Sequence, residues 1–444
     1  MLAKHEIMSR IPLNGGARYD VIVAGGGPAG LGAAIASSLN GARTLIIEGR
    51  GFFGGVAAVS HWMPLNRLFL RGGGRGAAQE MFVRHVLALG ADASVEGATG
   101  WVNGDNLDIH PDYLRLAAFK ALEEAGCDYL LHSPVVGAVM DGNKVTGVKV
   151  LSKNGVDQYF AEVFVDATGD ADLAYHAGAK MVKGREGDGQ FMPVTLSFAV
   201  CNVDTDKFYE YISANRGAFN EMFNKAEAGG YSVALFYSFD RTTVPGAVSV
   251  NNGGIRNAGI VDGTSSRDLT FSERAGIEIA VDFIKIVREN KVPGMENCSL
   301  MRVGADLGVR ETRRIVGDYT LTVEDASTGT EFDDVVARRY GEIDPGGLKQ
   351  DKDYSHSMKS GHAYPYRCML PVGIEALLVA GRCGSTTHLG QAAGKSMGNM
   401  MSLGQAAGTA AAISAATRVA PRGVPVKAIQ KALVEMGVPL FEGK

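Results

Sequence analysis

The stretch YDVIVAGGGPAGLGAAIASSLNGARTLIIE, residues 19–48, decides the fold. Asp20 to Ala24 is a short apolar run ending in glycine, as a buried parallel strand does. Gly25, Gly27 and Gly30 then form G-x-G-x-x-G. The first glycine allows a tight turn, the second lets a phosphate approach the backbone, and the third lets helix and strand pack closely. A helix from about Pro28 to Leu39, with Ala29 in its first turn, points its unpaired N–H groups at that phosphate. The chain returns through Thr44–Ile47 to Glu48, which is placed to accept hydrogen bonds from ribose hydroxyls. Strand, turn, helix, strand and acid in this order predict a bound dinucleotide. A glycine turn in an empty α/β fold is the alternative.

The length, 444 residues, suits two domains or one large domain with an insertion. A net charge of −4 gives no reason to expect nucleic acid or an anionic membrane as partner. Glycine is abundant, 59 residues against a usual share of about 7%, and sits beside apolar strands rather than in repeats, which indicates tight turns and close ligand approach. Cys127, Cys201, Cys298, Cys368 and Cys383 are scattered without a C-x-x-C pair, so a zinc or dithiol centre is not expected and a reducing cytoplasm is. Residues 1–18 lack an apolar signal core and read as an extension or subunit-contact arm, consistent with a homo-oligomer. Met400–Ala416 is apolar but rich in small residues and carries Gln405, so it reads as a buried helix rather than a membrane span.

Residues 51–66 read as irregular, and 71–91 as a glycine loop leading into a helix. Gly72, Gly74 and Gly76 do not form a second nucleotide site, since no clean strand precedes them and no strand ending in an acid follows. Pro111–Ala125 reads as a helix stopped by Gly126. Residues 128–152 read as three strands, with Asp141-Gly142-Asn143 as the hairpin turn between the last two. Ala161–Val165 is a further strand, ending in D-A-T-G-D. From 181 to 358 the pattern becomes alternating strands and two amphipathic helices, near 206–227 and 270–289. The expected organisation is therefore an extension at 1–18, a nucleotide domain from 19–180 and 359–416, an inserted α+β substrate or cap domain at 181–358, and an appended helix at 417–444.

Several motifs coincide with the glycine loop: Gly54-Gly55, D-A-T-G-D at 166–170, G-V-R-E-T-R-R at 308–314, P-Y-R-C-M-L-P at 365–371, A-G-R-C-G-S-T-T-H at 380–388 and L-G-Q-A-A-G-T-A-A-A at 403–412. As an ordered set, from about Tyr19 to Val438, they resemble the bacterial FAD-dependent oxidoreductases related to the glutathione-reductase and fumarate-reductase flavoprotein folds. The resemblance implies a Rossmann-like α/β FAD-binding domain of the glutathione-reductase type. It also implies a cofactor-binding set of Gly25, Gly27, Pro28, Ala29, Gly30, Glu48, Gly49, Arg50, Gly54, Gly55, Val136, Ala167, Gly169, Asp170, Gly381, Arg382, Lys395 and Ser396. Within it, Glu48 would take the adenosine ribose, the backbone near Val135 or Val136 the adenine, and Asp170 the ribityl or pyrophosphate region. A helix N-cap is the plainer reading of Asp170. The family usually has arginine at the position of Lys395 and a larger residue at that of Gly384. Lysine is a point charge without the planar fork of arginine.

Flavin supplies redox chemistry while the protein supplies position and field. The negative N1–C2=O edge of a reduced flavin suits a helix N-terminus or a cation. The helix beginning near Gly394–Gly398 and the loop from Arg382 to His388 fit that need. His388 and His61 are the candidates for proton transfer. A structural hydrogen-bonded histidine is the alternative for His388, and covalent flavin attachment is a further option at His61; Trp62 reads as a pocket wall. Arg310, Arg313 and Arg314 form either a clamp for an anionic substrate, with Arg313 central, or an ion-pair brace with Glu311 and Asp318; the brace is favoured. Tyr364, Tyr366 and Arg367 shape a pocket or belong to core and rim. His356 and His362 have no metal-ligand spacing. The expected activity is removal of a hydride from a C–H bond of a small organic substrate, with the electron acceptor open. Reduction of an unsaturated acid and a purely structural FAD are the alternatives.

Overall fold

The computed structural model describes residues 4–9, 11, 18–68, 74–96, 106–256, 258–348, 351 and 361–441. A central sheet has the order Asp128–Leu130, Thr44–Ile47, Arg18–Ala24, Gly155–Asp166, Lys144–Ser152, Val135–Asp141. The first four run parallel. Gly155–Asp166 is longer than its apolar core because, besides pairing with Arg18–Ala24 on one edge, it serves two partners on the other. Its first half pairs antiparallel with Lys144–Ser152, and its last residues pair parallel with Leu377–Val379. Arg18–Ala24 is covered on both faces, as its unbroken apolar run requires. Val21 and Val23 enter one core, Ile22 and Ala24 the other.

The first of these cores lies beneath the nucleotide helix Pro28–Leu39 and the long closing helix Met397–Thr417. These two pack backbone to backbone. A Cβ on Gly404 would lie 1.8 Å from the Ala29 carbonyl oxygen, one on Gly408 2.1 Å from that of Ala33, and one on Gly32 2.2 Å from that of Met401. The pairs 29–404 and 33–408 advance together, so the helices run parallel. Gln405, buried in this seam, has its Oε1 bonded by the Ala78 N–H at 2.8 Å. A Cβ on Gly76 would lie 2.2 Å from the Gln405 amide, so this glycine makes room for a side chain. Gly72 lies outside the described residues.

The inserted region builds its own core. A four-stranded antiparallel sheet, in the order Tyr237–Arg241, Val248–Asn252, Phe198–Cys201, Ser299–Val303, is associated with the helices Thr205–Ala228 and Ser266–Glu289. Asp204 and Ser265 cap these helices, accepting from Lys207 N and Asp268 N. Phe198, Phe208, Phe219, Phe223, Phe239 and Phe283 fill the space between them.

The structure differs from the sequence expectation at three places. The boundary at 358 cuts a two-stranded ribbon, because Val335–Arg339 pairs with His362–Pro365 and packs with Val336 and Ala337 in the main core. The supposedly irregular 51–66 stretch contains Pro64–Asn66, which joins Ser94–Glu96 and Asn106–Ile109 in a small antiparallel sheet. The last helix, Val426–Glu435, is not merely appended. It buries Ile429 and Leu433, and its Gln430 amide donates to the Asp333 and Val335 carbonyls at 2.8 and 3.0 Å. In each case the deciding contact is distant in sequence.

The seam makes a direct prediction. Gly404→Ala and Gly408→Ala force backbone apart and should each cost about 1–3 kcal/mol in urea unfolding. Gly217→Ala, inside the Thr205–Ala228 helix with nothing near its would-be Cβ, should instead raise stability by about 0.4–1 kcal/mol.

Candidate functional site

The glycines of the first loop separate by what surrounds them. Gly25 has φ +94°, and its Cβ would lie 2.5 Å from the Ala167 carbonyl oxygen. A Cβ on Gly30 would lie 1.8 Å from the Gly25 carbonyl oxygen. Both are required by packing. Gly27 is different: among the described residues the only atom within 4 Å of its Cβ is the Gly55 Cα at 3.9 Å. Nothing in the protein's own packing requires glycine there, and close approach of a phosphate does. Gly54 and Gly55, with φ +112° and +56°, cross beside this turn, and Gly54 N–H donates to the Gly26 carbonyl at 2.8 Å.

Glu48 is buried and fixed. Its Oε2 accepts from Gly26 N–H and its Oε1 from Arg50 N–H, both at 2.7 Å, which leaves further lone pairs for ribose hydroxyls. A Cβ on Gly49 would lie 3.2 Å from Pro134, so the loop after Glu48 runs against the segment leading to Val136, itself partly exposed. The Arg50 side chain reaches across to Asp306, with Nε–Oδ2 at 2.9 Å.

The closing helix begins seven residues before Gly404, the residue that meets Ala29. At 1.5 Å per residue its N-terminus overhangs that of the nucleotide helix by about 10 Å. Neither terminus has a side-chain cap, and among the described residues the buried Ser396 Oγ has no hydrogen-bond partner. Two helix N-termini of the same polarity, neither capped by a side chain, are thus offered at different depths, the farther with Gly398 of its first turn against the Arg67–Leu68 backbone. The nearer suits a diphosphate, the farther the electron-rich edge of a flavin. Lys395 sits at the farther one, its Nζ bonded to the Asp344 carbonyl at 2.7 Å and to its carboxylate. Burial pushes the Lys395 ammonium down, and Asp344 opposes this. Gly381 has φ +103°, and a Cβ there would lie 3.1 Å from Ala29 Cβ. These residues fit FAD: a Cβ-sized opening at Gly27, a fixed acid at Glu48, and an orphan hydroxyl at the second helix end.

A strap, residues 304–314, crosses this region. Ala305 N–H donates to the Val59 carbonyl at 3.1 Å, and the Arg382 guanidinium donates to the Val309 carbonyl. Asp170 accepts from Thr312 Oγ1 at 2.6 Å and from Arg382, whose Nε donates to the Gly169 carbonyl at 2.8 Å. Asp170 is not a helix cap, because Ala171 occupies the N-cap of Asp172–His176 in the left-handed conformation. Arg313 donates to the Asp170 carbonyl at 2.7 Å, pairs with Asp172 and stacks on Tyr175. Arg314 is fully buried and pairs with Glu311. Both guanidiniums are paired within the protein, although Arg313 also lines a cavity beside Asp170, and the Asp318 expected as a partner pairs with Arg422 instead.

His388 is fully buried, with Nδ1 2.8 Å from Glu311 Oε2 and Nε2 3.5 Å from Asp351 Oδ2. Glu311 also accepts from Met192 N–H at 3.0 Å. His61 lies at the opposite end of the strap. Its ring hydrogen-bonds the Val303 backbone, its buried Nε2 has no hydrogen-bond partner among the described residues, and burial lowers its pKa. Trp62 holds a positive φ of +40°, strained for an aromatic residue, through an indole bond to Thr243 at 3.1 Å and edge contact with His110 at 4.7 Å. His61 and His388 thus occupy separate ends of the site. Sequence reading treated Glu311 only as an ion-pair partner and missed Asp344 and Asp351; no local pattern ties these acids to His388 and Lys395, which lie 37 to 77 positions away. Tyr364 and Tyr366 are core residues. His362 is buried, and His356 lies outside the described residues. Among the described residues no cluster of three metal-ligating side chains occurs, and no helix is long and apolar enough to cross a membrane.

A Rossmann-like sheet, two helix N-termini and an ordered glycine–acid set define an FAD-binding oxidoreductase of the glutathione-reductase type. The chain belongs to the FAD dependent oxidoreductase family, whose sequence model matches residues 20–433. It is similar to the digeranylgeranylglycerophospholipid reductase of Thermoplasma volcanium, 30% identical over 206 residues, covering 43% of this chain and 49% of that one. The same reductase of Picrophilus torridus is 27% identical over 205 residues with the same coverages. The chain spans about half the length of the curated relatives it matches. Similar solved structures include a geranylgeranyl bacteriochlorophyll reductase-like protein from Thermoplasma acidophilum, at TM-score 0.47, 15% identity, and coverage of 94% of this chain and 82% of that one. Another is the flavin-dependent brominase Bmp2, at TM-score 0.48, 15% identity, and coverage of 94% and 83%.

The sorting of glycines is testable. Gly27→Ala should weaken FAD binding by about tenfold or more, ~1.4 kcal/mol, while leaving the apoprotein's unfolding midpoint unchanged. Gly30→Ala should lower that midpoint itself. Flavin fluorescence titration and apoprotein denaturation separate the two effects.

Proposed function

We propose that the protein removes a hydride from a C–H bond of a small organic substrate and passes it to FAD, with His61 as the general base. Bound FAD supplies the two-electron acceptor. The observation that carries the proposal is the state of His61: one ring nitrogen tied to the Val303 backbone, Nε2 buried without a hydrogen-bond partner among the described residues, and burial favouring the neutral ring. A neutral imidazole with an oriented lone pair is what proton abstraction beside hydride loss requires. The strained Trp62 walls this position. His388 acts differently. Its Nδ1 is held by Glu311, itself paired with Arg314, so it is a positioning residue that fixes the strap through Glu311; its Nε2, 3.5 Å from Asp351, makes no hydrogen bond among the described residues. Arg313 braces the strap by holding Asp170 and Asp172.

A second reading, reduction of a carbon–carbon double bond, draws support from the relatives, which are named as digeranylgeranylglycerophospholipid reductases. The same residues would serve in reverse, His61 then delivering a proton.

Anaerobic mixing with alcohols, amines and saturated acids distinguishes the two. In the first reading an organic donor bleaches the flavin, and His61→Gln slows bleaching by about 10²–10⁴-fold with FAD content unchanged. The rate should rise with pH and level off below the ordinary histidine range, since the His61 pKa is lowered. If no donor bleaches the flavin but chemically reduced enzyme turns over alkenes, the second reading replaces the first. A full rate in His61→Gln removes His61 from the chemistry.

A further inference from the structure

A cavity of about 450 Å³ lies beside Asp170, on the side of the Asp172–His176 helix. Asp170, Asp172, Tyr175, Lys183, Thr264 and Arg313 form its walls. Nothing in the proposed chemistry uses it. Lys183 and Arg313 are register partners in the antiparallel ribbon of Met181–Lys183 and Arg313–Ile315, so two cations stand side by side on one face. Like charges directly opposite in a ladder are destabilising. Each has therefore recruited other groups. Lys183 Nζ contacts Asp262 Oδ2 at 2.8 Å and Thr264 Oγ1 at 2.6 Å. Arg313 pairs with Asp172 and lies 4.4 Å from the Tyr175 ring centroid.

The walls thus carry two cations and two carboxylates, and this balance selects the ligand. A simple anion seated between Lys183 and Arg313 would draw Arg313 from Asp172, leaving that carboxylate beside Asp170 and Asp166 without its counter-charge. A simple cation would meet Lys183 and Arg313 at close range. A ligand holding both signs replaces each pair that it disturbs. We infer that this cavity binds a small zwitterion of the α-amino acid class, its carboxylate between Lys183 and Arg313 and its ammonium against Asp172 and Asp170. The volume suits a small molecule.

The titration of Asp172 adds a second, separable signature. Burial, then Asp170 and Asp166, push its carboxyl up to about 6, against Arg313 and Arg382. The other charged or titratable groups around it are Tyr175 and His176 on its own helix, Lys183 on the ribbon and Asp262 on the facing loop. As pH falls through about 6, Asp172 takes up a proton and releases Arg313. A plain carboxylate then becomes acceptable, with no ammonium needed.

The test uses the FAD-replete full chain and titration calorimetry with alanine, acetate and methylamine. At pH 7.5 alanine should bind saturably while acetate and methylamine do not; at pH 5.5 acetate should gain about tenfold or more in affinity. Lys183→Met, at a half-exposed position, should weaken alanine binding by about tenfold or more with FAD content unchanged. Asp172→Asn should let acetate bind at pH 7.5. Equal binding of acetate and alanine at pH 7.5, no saturable binding of any of the three, or alanine binding indifferent to both substitutions would each overturn the inference.

Discussion

Three helical glycines set the geometry on which the rest depends. Gly32, Gly404 and Gly408 let two parallel helices approach until carbonyl oxygens occupy the places of missing Cβ atoms. Ordinary side chains would hold helices 8–10 Å apart. The close seam makes the nucleotide helix and the closing helix one rigid unit on the sheet. Their N-termini therefore keep a fixed offset, which a long ligand with a diphosphate at one point and an electron-rich ring farther on can exploit. The closing helix is buried along most of its length, so it has no polar face to orient it. The glycine register and Gln405 do that instead.

The strap supplies the second constraint. It is continuous with the edge strand Ser299–Val303 of the inserted sheet and crosses the site before joining the Met181–Lys183 ribbon. Its charged contacts have unequal value. Arg50 and Asp306 are both part-exposed, and such a pair contributes little to stability. Arg314 and Glu311 are fully buried. Forming a buried pair of this kind gains little, but removing one partner costs about 3–5 kcal/mol because a charge is stranded. The buried pair thus resists rearrangement more than it strengthens the fold. That suits a residue whose other oxygen holds His388.

Local chemistry was legible in the sequence and distant chemistry was not. The turn at 25–30 and the acid at 48 belong to one βαβ unit, so spacing alone located them. The Pro111–Ala125 helix and the hairpin at 141–143 were equally readable, since their signals are a proline start, a glycine stop and an Asp-Gly-Asn turn. The His388–Glu311 contact spans 77 positions, and no period or motif links its ends. The ribbon that crosses residue 358 escaped for the same reason. Val335–Arg339 has only three apolar residues before two arginines, and its strand partner and core both lie elsewhere in the chain. The seam glycines were visible as part of a small-residue helix, but their partners were not. Only the coordinates distinguish a glycine required by a neighbouring helix from one that leaves space, as Gly27 does.

The two departures from the pattern that the resemblance implies each meet a specific neighbour in this structure. At Gly384 a Cβ would lie 2.3 Å from the Tyr364 hydroxyl, so the volume of a larger residue there is taken by a tyrosine from another strand. At Lys395 the partner is Asp344, presenting one carbonyl and one carboxylate oxygen to a single nitrogen. Those acceptors converge on a point, which an ammonium satisfies, whereas a guanidinium prefers two parallel acceptors. Both changes lie in the chain between the Leu377–Val379 strand and the closing helix. Neither disturbs the backbone N–H groups at the helix N-terminus. The charge beside that terminus is therefore kept while its shape is altered, which is the pattern expected where a cofactor contact is constant and the adjoining pocket is not.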